Sequence, residues 1–522
     1  MLTPCVLLAK WTFPSLINAT LEDLQQGLHR GCFNSFDLVN AYQERIRQVQ
    51  GKARAVTEIN PDALAIATFL DKERNIGGKR LGPLHGIPIL LKDNVATMDK
   101  MNNTAGSTLL LGAKVPHDST VARKLREAGA IILGKANMDE WADFRTGVLH
   151  HGYSPYGGQT HAAGVSADLG LAFAAIGTDT GGSISFPSSF NGIVGIKPTV
   201  GLVSRYLVIP ASEHRDSVGP MARTVRDAAH VLKAIAGPDS ADNYTSAIPF
   251  GTLPDYVEAC DEKALQGARI GVPYNVLDQA TDLWKKGGPW ADAFHKALKI
   301  MKDAGATIVE ANFTRAGSDN SIDRDDSMTL GADLMTDLPN YFAQLIENSS
   351  DIHTLADLRN RTRNAPAEEN NLWGTSVWDD ALDKFGFNNT DPRFWPSWQR
   401  LQQLQGPDGL LGALERHNLT AIVSPTIYAP KMANFIGASV VTVPLGHFPA
   451  NTSIISNTDP KNETLVMMAP SIPFAMSFVG RHWSEAELIG LAYSFEQKTR
   501  VRGEAKRVIM PEAEITVSSC YA

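Results

Sequence analysis

Residues 118–137 read DSTVARKLREAGAIILGKAN, and this stretch decides the fold class. Asp118 or Ser119 can cap a helix, and the apolar run AIIL that follows the helix predicts a strand. Just upstream, residues 86–94 read GIPILLKDN, an apolar segment that ends in Lys92 and predicts a buried strand. A strand, a helix and a second strand in this order are typical of an α/β sheet.

The same alternation extends in both directions along the chain. Helices are predicted from Thr20 to Gly31, from Ser35 to about Gly51 and from Thr224 to Gly237, each with a capping residue or a stopping glycine. Strands are predicted, around a helix near 291–304, at 269–274 (RIGVPY), 306–311 (ATIVEA) and 419–425 (LTAIVSP). The pattern predicts an α/β fold, a sheet covered by helices on both faces.

Composition divides the chain into four parts. We expect an N-terminal helical segment (1–75), a core with Lys92 and Ser183 (76–260), a variable, largely helical excursion (261–415) and a C-terminal return to the core (416–522). Residues 315–410 are polar, rich in Asp and Asn, and lack clear strands. This stretch either lines a substrate cleft or covers the surface, and the sequence favours neither.

Length and charge exclude several classes of function. The chain has 522 residues, a net charge of −8, an isoelectric point near 5.9 and no basic cluster, so nucleic-acid binding is not expected. No stretch approaches 18 consecutive apolar residues, so no membrane-spanning helix is expected. The four cysteines predict neither a zinc site nor a disulfide scaffold. His150, His151 and His161 lie close together without a second ligand cluster, so no metal is expected.

Ten N-x-S/T sequons exceed the roughly three or four that chance would give in a chain of this composition. They favour a glycosylated protein of the secretory route. The N-terminal MLTPCVLLAKW has no charged n-region and only a short apolar run, which does not clearly predict a signal peptide. A cytoplasmic protein with unused sequons is the alternative. The sequon asparagines are Asn18, Asn102, Asn243, Asn312, Asn348, Asn360, Asn388, Asn418, Asn451 and Asn462.

Residues 177–183, GTDTGGS, place two glycines directly before Ser183. A serine that attacks a carbonyl needs N–H donors for the resulting oxyanion, and the amides of Thr180, Gly181 and Gly182 can supply them. A structural β-turn with an incidental serine is the alternative. The stretch lacks the last glycine of GxSxG, so it does not predict a nucleophile elbow.

A nucleophilic serine also needs a base, and Lys92 is a candidate. Burial at the end of an apolar strand disfavours the ammonium and lowers the pKa of a lysine, which can then act as a neutral base. The alternative is a lysine that reaches the surface or pairs with Asp93.

Several long motifs in order resemble the amidase signature family, and the match covers most of the chain, closest to its fungal, peptide-amidase-like branch. The resemblance implies a mixed sheet wrapped by helices and a Ser–Ser–Lys triad. In that triad Lys92 takes a proton from a middle serine, which deprotonates the nucleophile, Ser183. The motifs are 82–94 (GPLHGIPILLKDN), 104–107 (TAGS), 118–142, 177–183, 190–205 (FNGIVGIKPTVGLVSR), 216–229 (DSVGPMARTVRDAA) and 477–499.

The chain departs from the family pattern at the middle serine. Counting back 24 residues from Ser183 reaches Gln159, in GGQTHAAG. In a second alignment the whole serine loop is deleted, and a helix resumes at GVSADLGLAFAAIG. An amide cannot relay a proton as a hydroxyl does, so the path must use Thr160, Ser166 or a water, or be lost. Ser185 stands where many members have arginine, which argues against an acidic substrate.

We therefore predict an amide hydrolase that acts on a small carboxamide or a peptide-type amide, as a monomer or homodimer and without a cofactor. The first alternative is an impaired amidase-like protein that binds a ligand or partner. The second is an acyl-transfer enzyme on the same fold. A tRNA-amidotransferase subunit is disfavoured because such a subunit works with partner chains.

Overall fold

A large mixed sheet forms the centre of the molecule. The computed structural model describes residues 13–76, 81–148, 151–160, 165–279, 284, 287–317, 320–504, 507 and 509–516. The strands are β1 Val56–Ile59, β2 Pro88–Lys92, β3 Ile131–Ala136, β4 Tyr153–Ser154, β5 Gly158–Gln159, β6 Ala174–Asp179, β7 Val194–Lys197, β8 Ser217–Ala222, β9 Arg269–Val272, β10 Thr307–Glu310, β11 Ala421–Pro425, β12 Val440–His447, β13 Ile455–Thr458, β14 Thr464–Met468 and β15 Pro473–Val479.

Eleven described strands form the main sheet, in the order β1-β3-β2-β6-β8-β7-β12-β15-β11-β9-β10. β2 runs parallel to both β3 and β6, whereas β8 is antiparallel to β6 and β7. Every residue of β6, β7 and β8 is buried. Because successive side chains of a strand point to opposite faces, the centre of the sheet is covered on both sides, which confirms the predicted fold class.

Helices surround this sheet. They are α1 Leu21–His29, α2 Ser35–Ala53, α3 Ala63–Ile76, α4 Thr120–Glu127, α5 Val165–Asp168, α6 Ser185–Phe190, α7 Val225–Ile235, α8 Tyr274–Leu277, α9 Pro289–Asp303, α10 Asn320–Phe342, α11 Leu355–Asn364, α12 Asn370–Trp373, α13 Ser376–Asp379, α14 Phe394–Gln405, α15 Leu410–Arg416, α16 Pro430–Ala433 and α17 Glu485–Thr499. Within the described residues, no helix is both long and apolar enough to cross a bilayer.

The predicted helix starts are confirmed by their caps. Thr20 and Thr224 accept a hydrogen bond from the third helical N–H of α1 and α7. Of the two candidates before α4, Ser119 is the cap, through the N–H of Ala122. α2 begins at Ser35 as predicted, and Asn34 caps it. These side chains satisfy N–H groups that the first turn of a helix leaves without a partner.

The predicted continuation of a helix through GVSADLGLAFAAIG is wrong for most of its length. α5 ends at Asp168, and residues 174–179 form strand β6 between β2 and β8. Gly170 has φ +60°, and a Cβ there would lie 2.8 Å from the Leu16 oxygen, so the chain turns at a glycine. The apolar run that follows is buried on both faces, which apolar content alone does not distinguish from a helix.

The predicted excursion is helical in residues 315–410, the part that was expected to lack strands. Within the described part of 315–410, the chain forms α10 to α14 with one 3₁₀ turn, Pro366–Glu368, one π segment, Asp380–Phe385, and no strand. Strands β9 and β10, however, belong to the main sheet although they lie within 261–415, and β1 joins it from the N-terminal segment. The four-part division stays a prediction.

Cysteine pairing differs from the expectation that no disulfide scaffold is present. Cys32 is disulfide-bonded, and Cys260 is a buried free thiol. None of the ten sequon asparagines is buried. The N-terminal segment that bears on a signal peptide lies outside the described residues.

A buried ion pair joins the helical excursion to the core. The Arg145 guanidinium, which is 0% exposed, donates to Glu140 Oε2 at 2.5 Å and to the main-chain oxygen of Glu368 at 2.8 Å. Glu368 Oε1 in turn accepts from Ser107 Oγ at 3.0 Å and from the Thr108 N–H at 2.8 Å. Burial and Glu368 raise the pKa of Glu140 well above its usual range. The cation therefore holds two carboxylates from different segments together.

We predict that Arg145→Met lowers the free energy of unfolding by about 3–5 kcal/mol, because it leaves buried carboxylates without their cation. Urea denaturation followed by tryptophan fluorescence measures the change. Arg123→Met is the control, since Arg123 forms a surface pair with Glu127 that is worth about 0.5 kcal/mol. Equally small losses of unfolding free energy for the two variants would mean that the Arg145 ion pair does not hold the excursion to the core.

Candidate active site

Lys92 and the turn that carries Ser183 lie at the same edge of the sheet. Lys92 is the last residue of β2, and β6 runs beside it in parallel, with Leu91 opposite Ile176. β6 ends at Asp179, and Ser183 follows four residues later. Neighbouring parallel strands present their carboxyl ends at one edge, where catalytic groups of α/β folds gather.

The Lys92 amine contacts Thr178 on the neighbouring strand. Lys92 Nζ lies 2.9 Å from Thr178 Oγ1 and 3.4 Å from the Thr178 main-chain oxygen. Asn94 Nδ2 donates to the same Oγ1 at 3.1 Å. The sequence analysis named neither Thr178 nor Asn94. The position of Thr178, on the strand that leads through Asp179 into the glycine turn, could have indicated a role at this site.

Burial lowers the pKa of Lys92, while the carboxylates of Asp139, Asp179 and Asp216 oppose that shift from a distance. The alternative that Lys92 pairs with Asp93 is wrong. Asp93 accepts from the Thr104 hydroxyl and from the Gly106 N–H, and Lys135 is the cation that acts on it. No carboxylate within the described residues lies at ion-pair distance from Lys92, so no direct ion pair offsets the effect of burial on its pKa.

The glycine turn is organised by Asp179. Its Oδ1 accepts from the Gly182 N–H and its Oδ2 from the Ile184 N–H, both at 2.8 Å. Gly182 has φ +129°, and a Cβ there would lie 2.5 Å from the Phe186 ring. Glycine is therefore required at 182 because of both its backbone conformation and the space available.

This arrangement corrects the predicted oxyanion donors. The Gly182 N–H is already bonded to Asp179, so it is not free to bind an oxyanion in this structure. Gly181 is exposed, and its N–H has no acceptor among the described residues. The Thr180 side chain donates to Asp216 Oδ1 at 2.6 Å, which anchors the start of the turn.

Ser183 is half-buried at the end of this turn. Within the described part of the chain its hydroxyl makes no hydrogen bond, and none joins it to Lys92. The structure therefore brings the two residues to one edge of the sheet, while the direct contact of the amine is with Thr178. Ser185, two residues on, is buried.

Neither residue at the altered triad position forms a hydrogen bond with Lys92 in the described part of the chain. Thr160 Oγ1 donates to the Arg54 oxygen at 2.9 Å and accepts from Asn137 Nδ2 at 2.7 Å. Gln159 Nε2 donates to the oxygens of His151 and Thr160, at 2.8 and 3.1 Å. This geometry does not support Thr160 as a relay. The side chain of Ser166, and also His150 and His161, lie outside the described residues.

A cavity of about 230 Å³ adjoins the candidate site. Thr178 and Thr180 from the end of β6 line one side, and Asp337, Asn340 and Tyr341 of α10 line the other. The excursion thus contributes a wall of a cavity beside the glycine turn. The sequence had left open whether it lines a cleft or only covers the surface.

Comparison with known proteins identifies the family of this chain. The amidase family model matches residues 37–489. A relative from Arthroderma benhamiae, whose name assigns it to the amidases, is 47% identical over 538 residues, which cover 96% of this chain and 89% of the relative. The solved peptide amidase of Stenotrophomonas maltophilia has a TM-score of 0.81 at 34% identity, covering 96% of this chain and 100% of that chain. For an amidase family protein of Bacillus anthracis the TM-score is 0.81 at 28% identity, covering 94% and 93%.

These similarities extend over nearly the whole chain and include both the sequence and the arrangement of the sheet. The mixed sheet wrapped by helices is the amidase-signature fold that the motifs implied. The chain belongs to the amidase family and is an amidase-type hydrolase that acts on carbon–nitrogen bonds.

Proposed function

We propose that this protein hydrolyses a small carboxamide or a peptide-type amide through an acyl-enzyme on Ser183, with neutral Lys92 as the base. The observation that carries the proposal is the contact of Lys92 Nζ with Thr178, at the sheet edge from which the Ser183 turn projects. Similarity to a solved peptide amidase supports the substrate class.

The contacts of Lys92 suit a base. A neutral amine has two N–H groups and one lone pair, and Thr178 offers two acceptors to the N–H groups, Oγ1 and the main-chain oxygen. The lone pair is then left to accept a proton from elsewhere. Thr178 is therefore a positioning residue, which acts through Lys92.

In the proposed reaction, Ser183 Oγ attacks the amide carbon while its proton passes to Lys92. The N–H of exposed Gly181 is the donor best placed in the turn for the oxyanion. The C–N bond breaks as Lys92 returns the proton to the leaving amine. Water then attacks the acyl ester and regenerates Ser183.

The proton path between Ser183 and Lys92 lacks the serine that the family uses. Because the Thr160 hydroxyl is bonded to Arg54 and Asn137, we assign the path to a bridging water. Gln159 bonds only to main-chain oxygens among the described residues, which favours the alignment with a deleted serine loop.

A second candidate function follows from the same departure. A protein that kept the fold but lost hydrolysis would bind amides without turning them over. The observation that favours it is that no hydrogen bond between Ser183 and Lys92 is found in the described part of the chain. Covalent labelling of Ser183 separates the two candidates.

We predict that a fluorophosphonate labels Ser183 in the wild-type protein and that Lys92→Met lowers labelling and amide hydrolysis by about a thousandfold or more, since the base is lost. Peptide mass spectrometry locates the label. Lys100→Met, at an exposed lysine paired with Asp62, is the control and should label normally. Unlabelled wild-type protein would favour the second candidate function.

The pH dependence follows from the lowered pKa of Lys92. Only the neutral amine accepts a proton, so kcat/KM should rise roughly tenfold per pH unit below that pKa and level off above it. In Asp139→Asn the rising limb of the pH profile should move to lower pH, because a carboxylate that favours the ammonium form of Lys92 is removed. A profile without this limb would exclude Lys92 as the base.

Thr178→Val should lower kcat about ten- to a hundredfold with little change in KM, because Lys92 loses the acceptor that orients it. Thr178→Ser retains the hydroxyl and should restore most of kcat. Thr160→Val is the matched control and should leave kcat within about threefold. A fall in kcat for Thr160→Val as large as that for Thr178→Val would return the relay to Thr160.

A further inference from the structure

The cavity beside the candidate site is rich in carboxylates. Glu213 and Asp216, from the loop between β7 and β8, and Asp337, from α10, line it together with Thr178 and Thr180. Asp242 also lines it but is already neutralised, since Arg205 Nε and one terminal nitrogen donate to its two oxygens at 2.9 Å each.

The remaining carboxylates form no ion pair among the described residues, and Arg205, which also lines the cavity, acts on Asp216 only from a distance. The Glu213 N–H donates to Asp337 Oδ2 at 2.6 Å, and Asn389 Nδ2 donates to Glu213 Oε1 at 2.7 Å. Over the ranges that the structure describes, no lysine or arginine lies at ion-pair distance from Glu213, Asp216 or Asp337. Burial and the neighbouring Asp333 and Glu213 raise the pKa of Asp337 well above its usual range.

Two buried acceptors that line the cavity are also without partners. Asn94 and Tyr341 are each 3% exposed and line the cavity. The Asn94 Oδ1 and the Tyr341 hydroxyl have no hydrogen-bond partner in the described part of the molecule. Leaving such atoms unpaired is costly, which indicates that a ligand with hydrogen-bond donors completes the site.

A metal ion fits these groups less well. Glu213, His214 and Asp333 offer ligand atoms within 4.8 Å of one another. However, the oxygens of Asp333 already accept from His214 Nδ1 at 2.9 Å, from Ser212 Oγ at 2.5 Å and from Asn389 Nδ2 at 3.0 Å. A metal would displace these donors, whereas an ammonium group in the cavity would donate to oxygens that are unused.

We propose that this cavity binds a positively charged ammonium group of the substrate, so that the protein prefers amino carboxamides over neutral carboxamides. This specificity rests on the proposed amide hydrolysis. Glu213 supplies the negative charge, Asp337, Asn94 and Tyr341 accept N–H groups, and Thr178 and Thr180 join the cavity to the reacting edge of the sheet. The wall from α10 therefore determines specificity rather than serving as cover.

The test compares pairs of equal size in the catalytically silent Ser183→Ala protein. Calorimetry measures the affinity for 4-aminobutanamide, 5-aminopentanamide and 6-aminohexanamide, each against the carboxamide in which a methyl replaces the ammonium. We expect at least one ammonium member to bind about tenfold or more tightly than its methyl partner. This advantage should be lost in Glu213→Gln/Asp337→Asn and kept in Asp380→Asn, a solvent-exposed acid of the same excursion.

Equal affinities within every pair would overturn the proposal, as would an advantage that survives the double substitution. A rise in melting temperature with Mg²⁺ or Mn²⁺ alone, lost in the same variant, would assign the cavity to a metal instead. If the double variant fails to fold, Glu213→Gln alone and the pairwise comparison in Ser183→Ala decide whether the cavity prefers an ammonium group. Hydrolysis is assayed separately in the wild-type protein. An ammonium preference without hydrolysis would therefore refute only the proposed function.

Discussion

The parallel pairing of β2 with β6 is the constraint on which the candidate site depends. It places a lysine at the end of one buried strand beside a threonine near the end of the next, at 2.9 Å. Burial makes the ammonium unfavourable, and the nearest partners are uncharged oxygens. The same strand end carries Asp179, which shapes the turn that presents Ser183. This one pairing in the sheet thus positions Lys92 and the turn that carries Ser183 at the same edge.

In the proposed reaction, the missing serine changes the path of the proton but not the position of Lys92. The residues that replace the serine segment are bonded to main-chain oxygens at Arg54, His151 and Thr160. A water can carry the proton across the space where the family pattern has a serine side chain, at a lower rate. The fold tolerates the change because β6 and its turn are held by β8 and by Asp179 rather than by that segment.

Features encoded within one segment could be predicted from the sequence, and features formed between distant segments could not. The helix caps at Thr20 and Thr224 and the strand that ends in Lys92 depend on local patterns. The contacts of Lys92 with Thr178 join positions 86 residues apart, and the cavity wall comes from a helix that begins at Asn320. Gly182 shows a subtler limit, because the sequence shows that a turn is needed but not that Asp179 already uses its N–H. Burial alone does not identify the candidate base either. Lys135 is also buried, with its pKa lowered to about 8. Its amine donates hydrogen bonds to the Val95 main-chain oxygen and to Asn103 Oδ1.

A direct titration of the Lys92 amine tests the central claim of a neutral base most directly. The ¹³Cε shift of labelled lysine, assigned to Lys92 by comparison with Lys92→Met and distinguished from Lys135, reports the protonation of that single group across the pH range. We predict a midpoint below 10.5, the ordinary pKa of a lysine, because burial outweighs the distant carboxylates. A midpoint at or above 10.5 would mean that Lys92 is a charged structural residue, and catalysis by an uncharged lysine would be excluded.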